Sequence, residues 1–275
     1  MLGLGGELLS KVRAEPFLKL IRVVLVFLCL SLLGLTTGCH RGGGTIRNGA
    51  LKYNATEIFG DGTVELKLAE AAGRGDKKEI KHLVATGAKV NFVGKHEITP
   101  LFWAAWAGNF KGFEMLLGEG ADPNAQRAEG YPIMHLVAQT SDIRFLECAL
   151  KHGGDPNLID KSTKKPPLFF VVMMGAIPQI EMLLNAGANV NAQTLDGSTL
   201  PIYAMSSPPK YKLVYLLLQR GADPHLQTIN HSGLADFIER SSRTETTMWN
   251  DSWRVKVIDC LKTNGIQVTD LNTNY

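Results

Sequence analysis

From about residue 66 onward, apolar positions follow a helical period. Phe113, Leu116 and Leu117 fall at i, i+3 and i+4. So do Leu146, Ala149 and Leu150, then Ile180, Leu183 and Leu184, then Val214, Leu217 and Leu218. That spacing puts each block on one face of a helix. A short polar phrase follows each block and returns at nearly fixed intervals. It reads Gly87-Ala88-Lys89-Val90-Asn91, Gly120-Ala121-Asp122-Pro123-Asn124, Gly153-Gly154-Asp155-Pro156-Asn157, Gly187-Ala188-Asn189-Val190-Asn191 and Gly221-Ala222-Asp223-Pro224-His225. Its leading glycines are spaced by 33, 33, 34 and 34 residues. A period in this range predicts stacked supersecondary units.

A second phrase lies 21 residues upstream of each of four of those glycines. It begins Thr99-Pro100-Leu101-Phe102, Pro132-Ile133-Met134-His135, Pro166-Pro167-Leu168-Phe169 and Leu200-Pro201-Ile202-Tyr203. Proline suits the start of a helix, where its missing N–H costs nothing, and Thr99 is placed to cap one. The recurring glycine fits the left-handed position that ends the second helix, and the Asp or Asn after it opens a turn. Each unit therefore reads as turn, helix, turn, helix. Alone it cannot bury its apolar face, but stacked it can.

The upstream phrase resembles the T-P-L-H-x-A signature of the ankyrin-repeat family, over roughly residues 66 to 268. The resemblance implies an all-α solenoid of about six helix-turn-helix units with short β-turn loops, occupying residues 63–270. His135 then holds the family's helix-start histidine, whose role is to brace the turn by hydrogen bonding. The ends read as caps. Lys67, Glu70, Lys77, Lys78, Glu79 and Lys81 give the first unit a charged surface. The last unit starts near Ser232, and its second helix, Val257 to Thr263, arrives about a dozen residues late. The intervening polar stretch holds Trp249 and Trp253, either packed on the cap or offered to a partner.

Ankyrin domains resemble a cupped hand whose partners meet the loop tips and the exposed side of each first helix. Read onto this chain, the variable positions include Ile98, Lys165 and Thr199, and among them Trp106, Tyr131, Met173 and Met174 stand out. Lys95, His96 and Arg127 lie in the loops. Aromatic residues, Met and Arg are enriched as interface anchors; the alternative is packing between repeats. Pro208-Pro209 is expected to shorten its helix.

The N-terminus points to the cell envelope. Lys11, Arg13, Lys19 and Arg22 precede a 13-residue apolar run, Val23 to Leu35. That run is short of the ~18–20 residues of a membrane span. It reads as a signal peptide, and Gly38-Cys39 is similar to the bacterial lipoprotein signal, in which a small residue precedes a lipidated cysteine. The match departs at Thr36, where the family prefers Leu. The other readings are an uncleaved anchor and cleavage without lipid. The lipoprotein resemblance implies residues 1–38 as the signal, lipid on Cys39, a flexible tether over 39–62, and outer-membrane delivery facing the periplasm, since His40 stands where inner-membrane retention usually needs Asp.

Net charge is +3. Four basic and two acidic residues fall within 1–38, so the rest carries only +1, which argues against nucleic acid as a partner. Lys161, Lys164 and Lys165 read as a solvated loop. Cys148 and Cys260 share a helical slot three units apart, too far to pair, and read as buried thiols. No nucleophile elbow, phosphate loop or metal spacing is present. The pair His225 and His231 flanks a turn with Asp223 nearby, but no third ligand is fixed at useful spacing for a metal. The expectation is a non-enzyme without metal or cofactor that binds a protein. Two classes stand: an immunity protein neutralising a type VI secreted effector such as a phospholipase, or a scaffold for a resident envelope protein.

Overall fold

The computed structural model describes residues 54–206, 208–244 and 252–268. Its helices run α1 (Ala55–Phe59), α2 (Val64–Arg74), α3 (Lys77–Ala85), α4 (Pro100–Trp106), α5 (Phe110–Gly118), α6 (Ile133–Ala138), α7 (Arg144–Lys151), α8 (Pro167–Met174), α9 (Ile177–Asn185), α10 (Leu200–Ala204), α11 (Tyr211–Gln219), α12 (Leu234–Thr244) and α13 (Ser252–Thr263). Two two-residue strands, β1 (Gln126–Arg127) and β2 (Tyr131–Pro132), pair antiparallel across a hairpin. From α2 onward the helices pair as α2/α3, α4/α5, α6/α7, α8/α9, α10/α11 and α12/α13, giving the six units the period predicts. First helices stack in the order α2, α4, α6, α8, α10 and α12. Second helices stack as α3, α5, α7, and α11 lies against α13.

Local chemistry sets these boundaries. The Thr99 hydroxyl accepts from the Phe102 amide at 3.3 Å, and Thr199 does the same for Ile202 at 3.5 Å. Each second helix ends on the recurring glycine. Gly120 has φ +89°, and the Ala121 amide reaches back to the Leu116 carbonyl at 2.9 Å. That left-handed residue is open to glycine without a Cβ clash. Between the rows lies a continuous apolar core. Phe102, Phe113, Phe169, Leu116, Leu146 and Leu168 are all essentially inaccessible. Phe113 of α5 and Phe145 of α7 meet at 5.0 Å across a repeat boundary.

The repeated polar phrase clamps neighbouring units together. Asn124 Nδ2 donates to the Gly153 carbonyl at 3.0 Å while its Oδ1 accepts from the Asp155 amide at 2.7 Å. Asn91, Asn157 and Asn191 make the same two bonds to the next unit. At Asn124, Asn157 and Asn191 the Asp or Asn two residues earlier also folds the loop, as where Asp122 accepts from the Asn124 amide at 2.8 Å. In the fifth phrase His225 replaces the asparagine, and the regular period stops there.

Both ends differ from expectation. Residues 39–62 are expected as a tether, yet 55–59 form α1, with Ile58 and Phe59 buried. Phe59 stands edge-on to Trp103 at 6.1 Å and lies 6.3 Å from Phe92. The apolar pair Ile58-Phe59 thus covers the first repeat. At the other end α13 starts at Ser252, five residues before the expected Val257, and this added turn is anchored by Trp253, which packs on Tyr215 of α11 at 5.6 Å, and by the buried Arg254. The shortening at Pro208-Pro209 is present: α10 has 5 residues against 8 in α8. Cys148 is buried and Cys260 half-buried, and both are free thiols. No described helix is long and apolar enough to cross a membrane.

Candidate functional site

A short hairpin precedes α6, and a single antiparallel bridge between Gln193 and Thr199 precedes α10. In the β1–β2 hairpin Glu129 and Gly130 take left-handed backbone, with φ +67° and +74°. The turn reverses the chain in few residues, so Arg127 and Tyr131 face each other as strand partners. The Arg127 guanidinium carbon sits 4.8 Å from the Tyr131 ring centroid and 6.0 Å from that of Trp106. Trp106, at the end of α4, is held in turn by Phe102 at 5.7 Å. Three residues separated by up to 25 positions in sequence thus form one cluster. A cation on aromatic faces gains about 0.5–2 kcal/mol per contact.

The cluster continues into the next units. The Tyr131 hydroxyl accepts from Gln139 Nε2 at 3.1 Å. Burial pushes that hydroxyl up to about 12, against the opposing pull of the Arg127 charge. His135 lies 5.7 Å from Tyr131 and 5.2 Å from Phe170. It makes the bracing bond expected of it: Nε2 lies 2.8 Å from the Lys165 carbonyl, so Nε2 carries the proton. Burial lowers the histidine's proton affinity, and the neutral ring leaves Nδ1 as a buried acceptor without a partner. Arg127 Nε is a buried donor without a partner. An orphan donor and an orphan acceptor therefore flank the Tyr131 ring. One unit further, the Lys165 ammonium lies 4.7 Å from the Tyr203 ring, which itself stands edge-on to Phe169.

The other sequence-derived candidates fall in separate places. Lys95 and His96 are exposed on a turn adjoining β1, with His96 at φ +58°. Met173 and Met174, 41% and 53% exposed, lie at the end of α8. Trp253 is half-buried against Tyr215, with Lys256 Nζ 4.3 Å from its ring, at the C-terminal end of the stack. Cys39 and Trp249 lie outside the described residues. Two positions proposed as variable surface are structural instead. Ile98 is fully buried, because α1 packs on the turn that it closes, and Thr199 is a buried cap. Lys165, read as part of a solvated loop, is half-buried.

Sequence reasoning missed Leu195 and Ile229, which are 79% and 67% exposed. They occupy the same hairpin position, four residues past Asn191 and His225, and their hairpins are joined by the Ile229 amide donating to the Asp196 carbonyl at 2.9 Å. Counting register from the loop residue would have found them, since Lys95 and Lys161 hold that slot in other units.

Among the described residues no group of three His, Cys, Asp or Glu side chains is placed to hold a metal. The arrangement groups aromatic, cationic and apolar side chains, with the buried Asp160 carboxylate close enough to act on both Tyr131 and His135.

The ankyrin-repeat profile matches residues 96–128, the unit that runs from the α4 turn to β1. Protein PhlB of Serratia liquefaciens is 33% identical over 139 residues, spanning 50% of this chain and 61% of that protein. The p105 subunit of nuclear factor NF-kappa-B from Gallus gallus is 28% identical over 152 residues, 54% of this chain and 15% of its own length. Palmitoyltransferase AKR1 of Lachancea kluyveri is 30% identical over 148 residues, 52% of this chain and 20% of its own length. The chain thus spans less than two thirds of each of these relatives. Of these names only the third states an activity, and this chain has a mostly helical ankyrin-repeat domain of paired helices and short turns.

Proposed function

We propose that this ankyrin-repeat protein is held in the bacterial envelope by lipid on Cys39 and there binds a secreted antibacterial effector, protecting the cell that makes it. The Trp106–Arg127–Tyr131 cluster carries the binding part of this reading. It joins the side-chain types that anchor protein interfaces, on the face from which ankyrin domains usually bind. The anchoring part rests on the basic stretch, the short apolar run and Gly38-Cys39. Two or more acyl chains at ~0.8 kcal/mol per buried CH₂ hold a protein stably on a bilayer. Likeness to a Serratia protein is in keeping with a bacterial host. An inhibitor tethered at the membrane meets an effector such as a phospholipase where that enzyme acts and covers its active site.

The test is competition in the native organism. A strain lacking the chain is mixed at high contact density with its parent, and survivors are counted. The expected result is a loss of at least tenfold, restored by the wild-type chain but not by Trp106→Asp at equal abundance. Equal survival of both strains, with capture of a resident envelope protein on the wild-type chain, would replace this reading with the scaffold. Cys39→Ser should also leave the membrane fraction. If it remains there entirely, the lipid anchor is wrong.

A further inference from the structure

Among the arginines whose side chains are described, all but one are partnered. Arg144 forks onto Asp142 at 2.6–3.2 Å. Arg220 pairs with Glu181 and Asn185, Arg74 with Glu70. Arg240 donates to Ser232 and to the Asp236 carbonyl. Among the arginines whose side chains are described, Arg127 makes no hydrogen bond or ion pair, and its Nε is buried. Its five donors are a fixed planar fork. Trp106 and Tyr131 restrain that fork, and the Gln139 bond restrains Tyr131. Nε is enclosed and closed to another molecule, so the terminal guanidinium nitrogens, which make no hydrogen bond and are not enclosed, are the donors open to an acceptor from outside the chain.

We propose that Arg127 is the receptor for one carboxylate, an Asp or Glu side chain of the partner protein, received end-on by the guanidinium. This rests on the binding reading above and names the chemistry of its central contact. Charge complementarity favours a partner's acidic side chain. Lys165, in the next unit, is a second ammonium without an acceptor among the described residues, so two unanswered cations line consecutive units. Glu97 lies on the turn adjoining β1, Glu129 on the hairpin turn itself, and the buried Asp160 acts on Tyr131, so acidic groups around the site disfavour a polyanion and favour a single carboxylate. A carboxylate matches the fork with two parallel bonds. Met173 and Met174 lie one unit further on, so the acidic residue is expected to have apolar neighbours.

The experiment uses the full-length chain, purified in mild detergent, as bait for a phage-displayed library of random 12-residue peptides. Parallel selections use Arg127→Gln and Trp106→Asp, with thermal melts confirming that both variants remain folded. Wild type should select peptides sharing one Asp or Glu beside apolar residues. Changing that residue to Asn or Gln should weaken binding ~30-fold or more, the size seen when one partner of a buried charge pair is truncated. Arg127→Gln should lose the same peptides, and Arg127→Glu should bind versions carrying Lys at the acidic position. Peptides that require Trp106 but carry no acidic residue, or that Arg127→Gln still binds, would overturn the carboxylate inference and leave the binding surface standing. Peptides insensitive to both variants, or none at all, would overturn the surface as well. Arg127-dependent binding to phosphatidylglycerol vesicles without peptide binding would assign the fork to lipid phosphate and overturn the proposal.

Discussion

The loop face and the hairpin face of this stack use polar groups in opposite ways. On the loop face, Asn91, Asn124, Asn157 and Asn191 each give and accept one bond to the next unit, and the same pair recurs four times. On the hairpin face the side chains at the Trp106 and Tyr131 positions change from unit to unit. Trp106 corresponds to Gln139 and Met173 in the following units, Tyr131 to Lys165, and the polar atoms there include Arg127 Nε and His135 Nδ1 without partners. Residues that recur satisfy one another and hold the units in register. Residues that occur once do not satisfy one another, and the terminal nitrogens of Arg127 are left open to an outside acceptor.

The strongest way to break the first half of that contrast is at a repeat-to-repeat contact that admits no side chain. Gly112 of α5 lies so close to α2 that a Cβ would overlap the Ala72 carbonyl. Gly112→Ala is expected to destabilise the fold by about 3 kcal/mol, at the upper end of overpacking costs. Denaturant unfolding reads this directly, and a loss below about 1 kcal/mol would mean that α2 and α5 slide apart freely. Next in size is Asn157→Ala. It removes both bonds of one clamp, about 0.5–1.5 kcal/mol each, so about 2 kcal/mol in total is expected. Asn→Ala at a loop that contributed nothing between units would leave the midpoint unmoved.

Much of the first half was legible in advance. The 33–34-residue period, the prolines at helix starts and the glycines at helix ends are local features, and local features dictate local structure. The asparagine clamp was visible as a repeated letter but not as a bond, because its partner lies 29 to 32 residues away. The buried Ile98 escaped for a different reason: the helix that covers it, α1, is five residues long and has too few turns to show a period. Trp106, Arg127 and Tyr131 were each singled out by residue type. That they form one cluster was not legible, because the left-handed turn at Glu129-Gly130 brings them together, and glutamate does not announce that conformation.

A smaller effect, of opposite sign, sharpens the comparison. Second helices start at Asp76 and Asn109 with side-chain caps, Asp76 accepting from the Glu79 amide and Asn109 from that of Gly112. The equivalent residue before α9 is Ala176, with nearly the same backbone as Asp76, ψ 77° against 87°, and no cap. Ala176→Asp should therefore stabilise by about 1 kcal/mol. A thermal melt with no upward shift would mean that Pro178 already fixes this start well enough that a cap adds nothing.

The smallest expected change is at the residue with the largest proposed role. Arg127→Met keeps a chain of similar length between Trp106 and Tyr131. It gives up cation–π contacts with two rings, about 0.5–1 kcal/mol each at partly exposed sites. It also removes a buried donor that has no acceptor, whose cost is about 1–3 kcal/mol. The two terms oppose each other, and stability should stay within about 1 kcal/mol of wild type. Asn157→Ala, on the loop face, has no such offset because both of its bonds are made. If Arg127→Met instead cost as much as Asn157→Ala, the guanidinium would be cementing the hairpin, and the contrast between a face that answers itself and a face that waits for a partner would fail at its central residue.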